Sequence, residues 1–79
     1  MTILFENENG DLRLVRESAW LSEAIDTIVE DIQENIDPDW NWGNENCGWM
    51  DASVHEDGNT HVRIRGKNLL ESKYILLGI

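Results

Sequence analysis

Short apolar runs divided by Asn-Gly open the chain. They give way to a segment with helical apolar spacing, and the chain closes on further strand-like runs. In "TILFENENGDLRLV" the Asn9-Gly10 pair lies between two apolar runs, and both central positions of a type I′ turn need positive φ, so the pair predicts a two-residue hairpin turn. That turn sets Phe5 opposite Leu14 and Glu6 opposite Arg13, apolar residues on one face and opposite charges on the other. In "ESAWLSEAIDTIVEDIQENIDP", Leu21, Ala24, Ile25, Ile28, Val29, Ile32 and Ile36 follow helical spacing. Ser18 is the expected N-cap, and Pro38 ends the helix at or before Asp37. At 100° per residue the stripe centres opposite Glu23, Asp26, Glu30 and Glu34, which therefore share one face and span roughly 16 Å.

The remaining segments predict three more strands. "GWMDASVHEDGNTHVRIRG" reads as a hairpin around Asp57-Gly58-Asn59. A two-residue loop would pair apolar Val54 with His61. A three-residue loop pairs Val54 with Val62 and Ala52 with Ile64, keeps one face apolar, and asks Asn59 to adopt the left-handed conformation. It also sets His55 opposite His61, Ser53 opposite Arg63 and Asp51 opposite Arg65. Asn68 is expected to cap a short turn, and "KYILLGI" is a continuous apolar run suited to a strand inside a sheet. The expected fold class is α+β, in the order ββαβββ: a four- to five-stranded, mainly antiparallel sheet with one amphipathic helix packed on one face. At 79 residues a single domain, 1–79, is expected.

Charge sharpens the reading. Sixteen acids against six bases leave a net charge of −10. Spread over a folded surface of about 4,900 Å², this disfavours nucleic acid and anionic membranes and steers basic partners inward. No Lys or Arg occurs between Arg16 and Arg63, so no i,i+4 partner softens the acidic row. Cys47 is the only cysteine, which precludes an internal disulfide and fits a reducing compartment, the cytoplasm. No signal peptide is visible at the N-terminus and no apolar run approaches the ~18 residues of a membrane span.

"DPDWNWGNENCGW" places three of the four tryptophans among acids and asparagines. Asp37, Asp39 and Asn41 alternate like the start of a calcium loop, but Trp42 and Gly48 stand where such a loop needs Gly and Glu. The segment reads instead as a turn, with at least two of Trp40, Trp42 and Trp49 closing the open end of a thin core and one left as a contact anchor. His55 and His61 across a hairpin suggest a transition-metal pair, yet solvated polar residues are the commoner reading, so no metal and no cofactor is expected. Cys47 with a histidine shows no third group, and the glycines form no phosphate-binding pattern, so no catalytic residue is assigned.

Size, acidity, the single reduced cysteine and a compact α+β layout without a catalytic motif resemble the small acidic inhibitors of phages and mobile elements, the anti-CRISPR and anti-restriction proteins. The resemblance covers the whole chain as a type and carries no motif. It implies a non-enzymatic inhibitor, of a type that includes DNA mimics, that occupies a basic surface of a nucleic-acid-handling complex in the host cytoplasm. Expected contacts are Glu23, Asp26, Glu30, Glu34, Asp37, Asp39, Trp40 and Trp42, with Glu45 joining them. The polar side of the second hairpin, Asp51, His55 and His61, is the other candidate surface. The alternatives are an immunity protein or antitoxin that neutralises one basic toxin, with the same steering, and an interaction module that forms a homodimer. The chain is expected to act as a monomer or homodimer.

Overall fold

The computed structural model describes residues 1–43, 48–67 and 69–78. Glu45, Cys47 and Asn68, all singled out above, lie outside the described residues. Strands β1 (Thr2–Glu6) and β2 (Leu12–Arg16) precede a 3-10 turn (Leu21–Glu23) and helix α1 (Ala24–Asn35). Strands β3 (Trp49–Val54), β4 (Thr60–Arg65) and β5 (Ser72–Leu77) follow. They form one five-stranded sheet in the order β2-β1-β5-β4-β3, with every neighbouring pair antiparallel. The fold is α+β. β5 holds the centre, where its apolar run suits it, and each hairpin flanks it on one side.

Both hairpins close with the same three-residue chemistry. Asn7 N–H donates to Asp11 O at 3.0 Å and Gly10 N–H to Asn7 O at 3.0 Å; His55 N–H donates to Asn59 O at 3.0 Å and Gly58 N–H to His55 O at 2.9 Å. Gly10 and Gly58 both sit at φ 83°, a left-handed position that a side chain disfavours. In the first hairpin this replaces the expected two-residue turn. The Asn7 side chain accepts from the N–H groups of Asn9 and Asp11 and so draws one more residue into the loop. The pairing becomes Leu4 with Leu14 and Phe5 with Arg13, not Phe5 with Leu14. A one-residue slip turns Leu12, Arg13 and Leu14 over, so Arg13 faces the helix and Leu12 and Leu14 face away from it, while Arg16 keeps its place opposite Ile3. Val15 is then the extra residue of a β-bulge, between Arg16 opposite Ile3 and Leu14 opposite Leu4.

The second hairpin has the expected loop length, moved one residue toward the N-terminus. Gly58 rather than Asn59 takes the left-handed position, and Asp57 Oδ1 accepts from Asn59 N–H at 2.8 Å. Ala52 therefore faces Val62, Met50 faces Ile64 and Val54 faces Thr60. Asp51 pairs with Arg63, and Ser53, not His55, stands opposite His61. The shift is two positions, so the apolar face stays where it was expected.

Helix α1 packs on the face formed by Ile3, Val62, Ile64, Tyr74 and Leu76, all buried together with Ile28, Ile32 and Trp40. Its start differs from expectation. Ser18 is not the N-cap and sits at φ 55°; Trp20 and Glu23 hold the cap positions of the 3-10 turn and of α1, and neither accepts a capping bond through its side chain. The buried stripe is Ala24, Thr27, Ile28, Asp31 and Ile32, while Leu21 and Ile25 are exposed. The helix is thus rotated toward β2, because Arg16 Nη1 donates to Thr27 Oγ1 at 3.1 Å and Arg13 holds Asp31. Its C-terminus stops before Pro38, as expected, with Asp37 Oδ1 accepting from Asp39 N–H at 3.0 Å.

Candidate functional site: an acidic helix face with an aromatic edge

The rotation of α1 leaves Glu23, Asp26, Glu30 and Glu34 on the side away from the sheet, all exposed. Arg16 reaches Glu23 at 3.4 Å in a pair solvated on both sides, worth little by itself. Among the described residues no basic side chain pairs with Asp26, Glu30 or Glu34. The row is therefore an uncompensated negative surface mounted on a rigid element. Asp39 extends it past the helix end and is exposed, whereas Asp37 is buried and acts within the turn.

The tryptophans divide differently from expectation. Trp40 is 1% exposed and belongs to the core, not to the contact surface. Its indole N–H donates to Arg65 O at 2.9 Å, and its own carbonyl accepts from Gln33 Nε2 at 2.9 Å. The ring lies against backbone that has no side chain: a Cβ on Gly48 would stand 2.7 Å from Trp40 Cε2, and one on Gly66 2.8 Å from Cδ1. Trp42 is half exposed. Trp49 is partly exposed and lies under the Arg65 guanidinium, 5.3 Å from ring centroid to Cζ. So one tryptophan of the segment, not two, closes the core.

Trp20 was not among the expected contacts, and it is the most exposed tryptophan of the chain at 72%. At helical spacing it continues the stripe of Ala24 and Ile28 and so reads as core. The extended backbone at Trp20 and the 3-10 turn that follows carry it off that stripe. With exposed Leu21 it forms an apolar edge directly before Glu23.

A second charged cluster lies under the helix. Asp31 Oδ1 and Oδ2 accept from Arg13 Nη1 and Nη2, both at 2.8 Å; Oδ1 also accepts from Asn35 Nδ2 at 2.9 Å and Oδ2 from the Tyr74 hydroxyl at 2.5 Å. Burial alone would raise the Asp31 carboxyl, but the hydrogen bonds from Arg13, Tyr74 and Asn35 outweigh it and hold it below the usual carboxylate range. Burial, then the Asp31 carboxylate, pushes the Tyr74 phenol above its ordinary range. The Arg13 guanidinium lies over the Phe5 ring, with Cζ 4.9 Å from the centroid, and Phe5 packs on Tyr74. Every acceptor of this carboxylate is directed at a partner in the fold, so the cluster reads as a structural tie.

On the second hairpin the His55 and His61 rings stack with centroids 3.6 Å apart and planes 13° from parallel. Parallel rings do not aim their nitrogens at a common point. His61 Nε2 lies 3.3 Å from Asp57 Oδ2, and its Nδ1 is buried without a hydrogen-bond partner. Among the described residues no group of three or more His, Cys, Asp or Glu is placed to hold a metal ion. No helix of the described residues is long and apolar enough to cross a membrane. Comparison with known protein families, curated proteins and solved structures returned no match.

Proposed function

We propose that this protein is a non-enzymatic acidic inhibitor that occupies a basic, nucleic-acid-binding surface of a partner protein or nucleoprotein complex. The observation that carries this reading is the exposed row of Asp26, Glu30 and Glu34, without basic neighbours among the described residues. Such a row draws a cationic surface by long-range attraction, and its cost of desolvation is low because the carboxylates remain at the rim. Exposed Trp20, in the segment before α1, and Trp42, in the segment after it, supply apolar anchors of the kind that dominate binding energy. Arginines that normally grip phosphates would meet carboxylates instead, about 5–6 Å apart along the helix. A partner class that includes anti-CRISPR or anti-restriction targets fits this chemistry.

The test is a pull-down from host-cell lysate with the tagged protein at low and raised salt, with bound proteins identified by mass spectrometry. The expected result is a DNA- or RNA-binding complex whose retention falls with salt. Recovery of a single toxin would favour the immunity reading. Failure to retain any basic protein at either salt contradicts both.

A further inference from the structure

Among the described residues, no element covers the face of the sheet opposite α1. Alternation along the strands turns Leu4, Leu12, Leu14, Ile75 and Leu77 to that side, since Ile3, Phe5, Tyr74 and Leu76 point toward the helix. Leu12 and Leu14 are more than half exposed. Cross-strand register aligns Leu14, Leu4 and Ile75 into one apolar row that continues to His61 and Ser53. The next row reads Leu12, Glu6, Lys73, Arg63 and Asp51. Its charges neutralise each other in place, Lys73 to Glu6 at 3.7 Å and Arg63 to Asp51 at 3.8 Å. The total accessible surface is 5,232 Å², against about 4,900 Å² for a compact monomer of this mass.

We infer that this open sheet face is the contact between two copies of the chain, packed sheet to sheet with the acidic helices outward. Charge selects the occupant. The chain carries −10, yet the open face holds Arg63, Arg65 and Lys73 against Glu6, Asp51 and Glu71, a net of zero. It is the surface on which two such anions approach with least repulsion. Its paired charges offer little to a polycation or a polyanion. An isologous contact needs a patch that complements itself. A two-fold axis along the Leu14–Leu4–Ile75 row lays that row on its own copy. The same axis sets each Glu6–Lys73 row over the partner's Thr2–Leu77 row, so Glu6 does not meet Glu6.

Five strands about 4.8 Å apart and five to six residues long give a flat footprint of roughly 430 Å². With side-chain relief the pair buries on the order of 1,000 Å², the lower end for a specific interface, which sets a dissociation constant in the micromolar range. Apolar contact between two −10 chains tightens as salt screens their repulsion, whereas attachment of a basic partner to α1 loosens. The two associations therefore respond to salt in opposite directions.

Sedimentation equilibrium from about 10 to about 500 µM, at roughly 0.1 and 0.5 M salt, tests the inference. The expected result is a mass that rises from 9.1 kDa toward twice that value, more steeply at high salt. Leu14→Glu should weaken the dimer roughly tenfold or more with an unchanged circular dichroism spectrum, while Glu30→Lys should not weaken it. Leu12→Ser serves if Leu14→Glu fails to fold, and concentration-dependent methyl shifts of Leu4, Leu14 and Ile75 in the unaltered protein need no variant. A mass of 9.1 kDa throughout, or a dimer indifferent to both leucine substitutions, overturns the inference and assigns the face to another occupant.

Discussion

The Tyr74 hydroxyl, on the central strand, donates to Asp31 Oδ2, on the helix, at 2.5 Å. Through Asp31 that bond also reaches Arg13 on β2, so one carboxylate joins the helix to two strands of the sheet. A charge at this depth is tolerated because its acceptor sites are directed at donors. It also fixes the rotation of α1, and hence which carboxylates face solvent.

Removal of this carboxylate should cost more than removal of the hydroxyl. Asp31→Ala leaves a buried phenol without its acceptor and a half-solvated guanidinium without its partner, at about 2–3 kcal/mol. Tyr74→Phe leaves Asp31 bonded to Arg13 and Asn35, at about 1–2 kcal/mol. Urea denaturation of both variants gives the order directly.

The pH dependence follows from the same pair. The Asp31 carboxyl is held below its ordinary value in the fold, so its contribution is complete above about pH 4 and is lost as pH falls through the depressed value. The phenol is raised, so its contribution is complete below about pH 10 and declines above it. The gap in melting temperature between the unaltered protein and Asp31→Asn should be level from about pH 5 to pH 9 and narrow on the acid side. A gap that widens below pH 4 would contradict the assignment.

Strand number, helix and central β5 were legible because the apolar period reports burial, whatever the register. Register was not legible in the first hairpin. Asn9-Gly10 does mark the turn, but the Asn7 side chain, through bonds to Asn9 and Asp11 that no apolar pattern records, lengthens the loop by one residue. That slip turned Arg13 inward, and Arg13 in turn made Asp31 a core residue. An acid on an apolar helix face, with arginine and tyrosine elsewhere in the chain, is the only sequence-level trace of the cluster. The acidic row was legible because each of its members lies opposite the isoleucines. Trp20 was not, because its position continues that stripe and only the 3-10 turn removes it.

Trp40 should behave as a keystone. Trp40→Ala removes a buried ring and its bond to Arg65 O, at about 3–5 kcal/mol, enough to unfold a domain this small at moderate urea. Gly48→Ala should destabilise by about 1–3 kcal/mol, since its Cβ would stand 2.6 Å from Asn41 O. Acrylamide quenching gives an independent check, with Trp40 the protected emitter and Trp20 the most accessible.

Trp20→Ala should leave stability within about 0.5 kcal/mol, because the side chain is largely solvated. The same change should weaken capture of the basic partner by about 1–2 kcal/mol, roughly tenfold. Titration of the captured partner by fluorescence anisotropy separates the two effects.

The most direct measurement compares the unaltered protein with Glu30→Lys/Glu34→Lys as paired baits in one lysate, at two salt concentrations, by quantitative mass spectrometry. The account predicts a nucleic-acid-binding complex retained by the unaltered protein at low salt, reduced at high salt, and lost from the reversed bait while its circular dichroism spectrum stays the same. Equal retention by a folded reversed bait would show that the helix face is not the contact, and the central claim would fall.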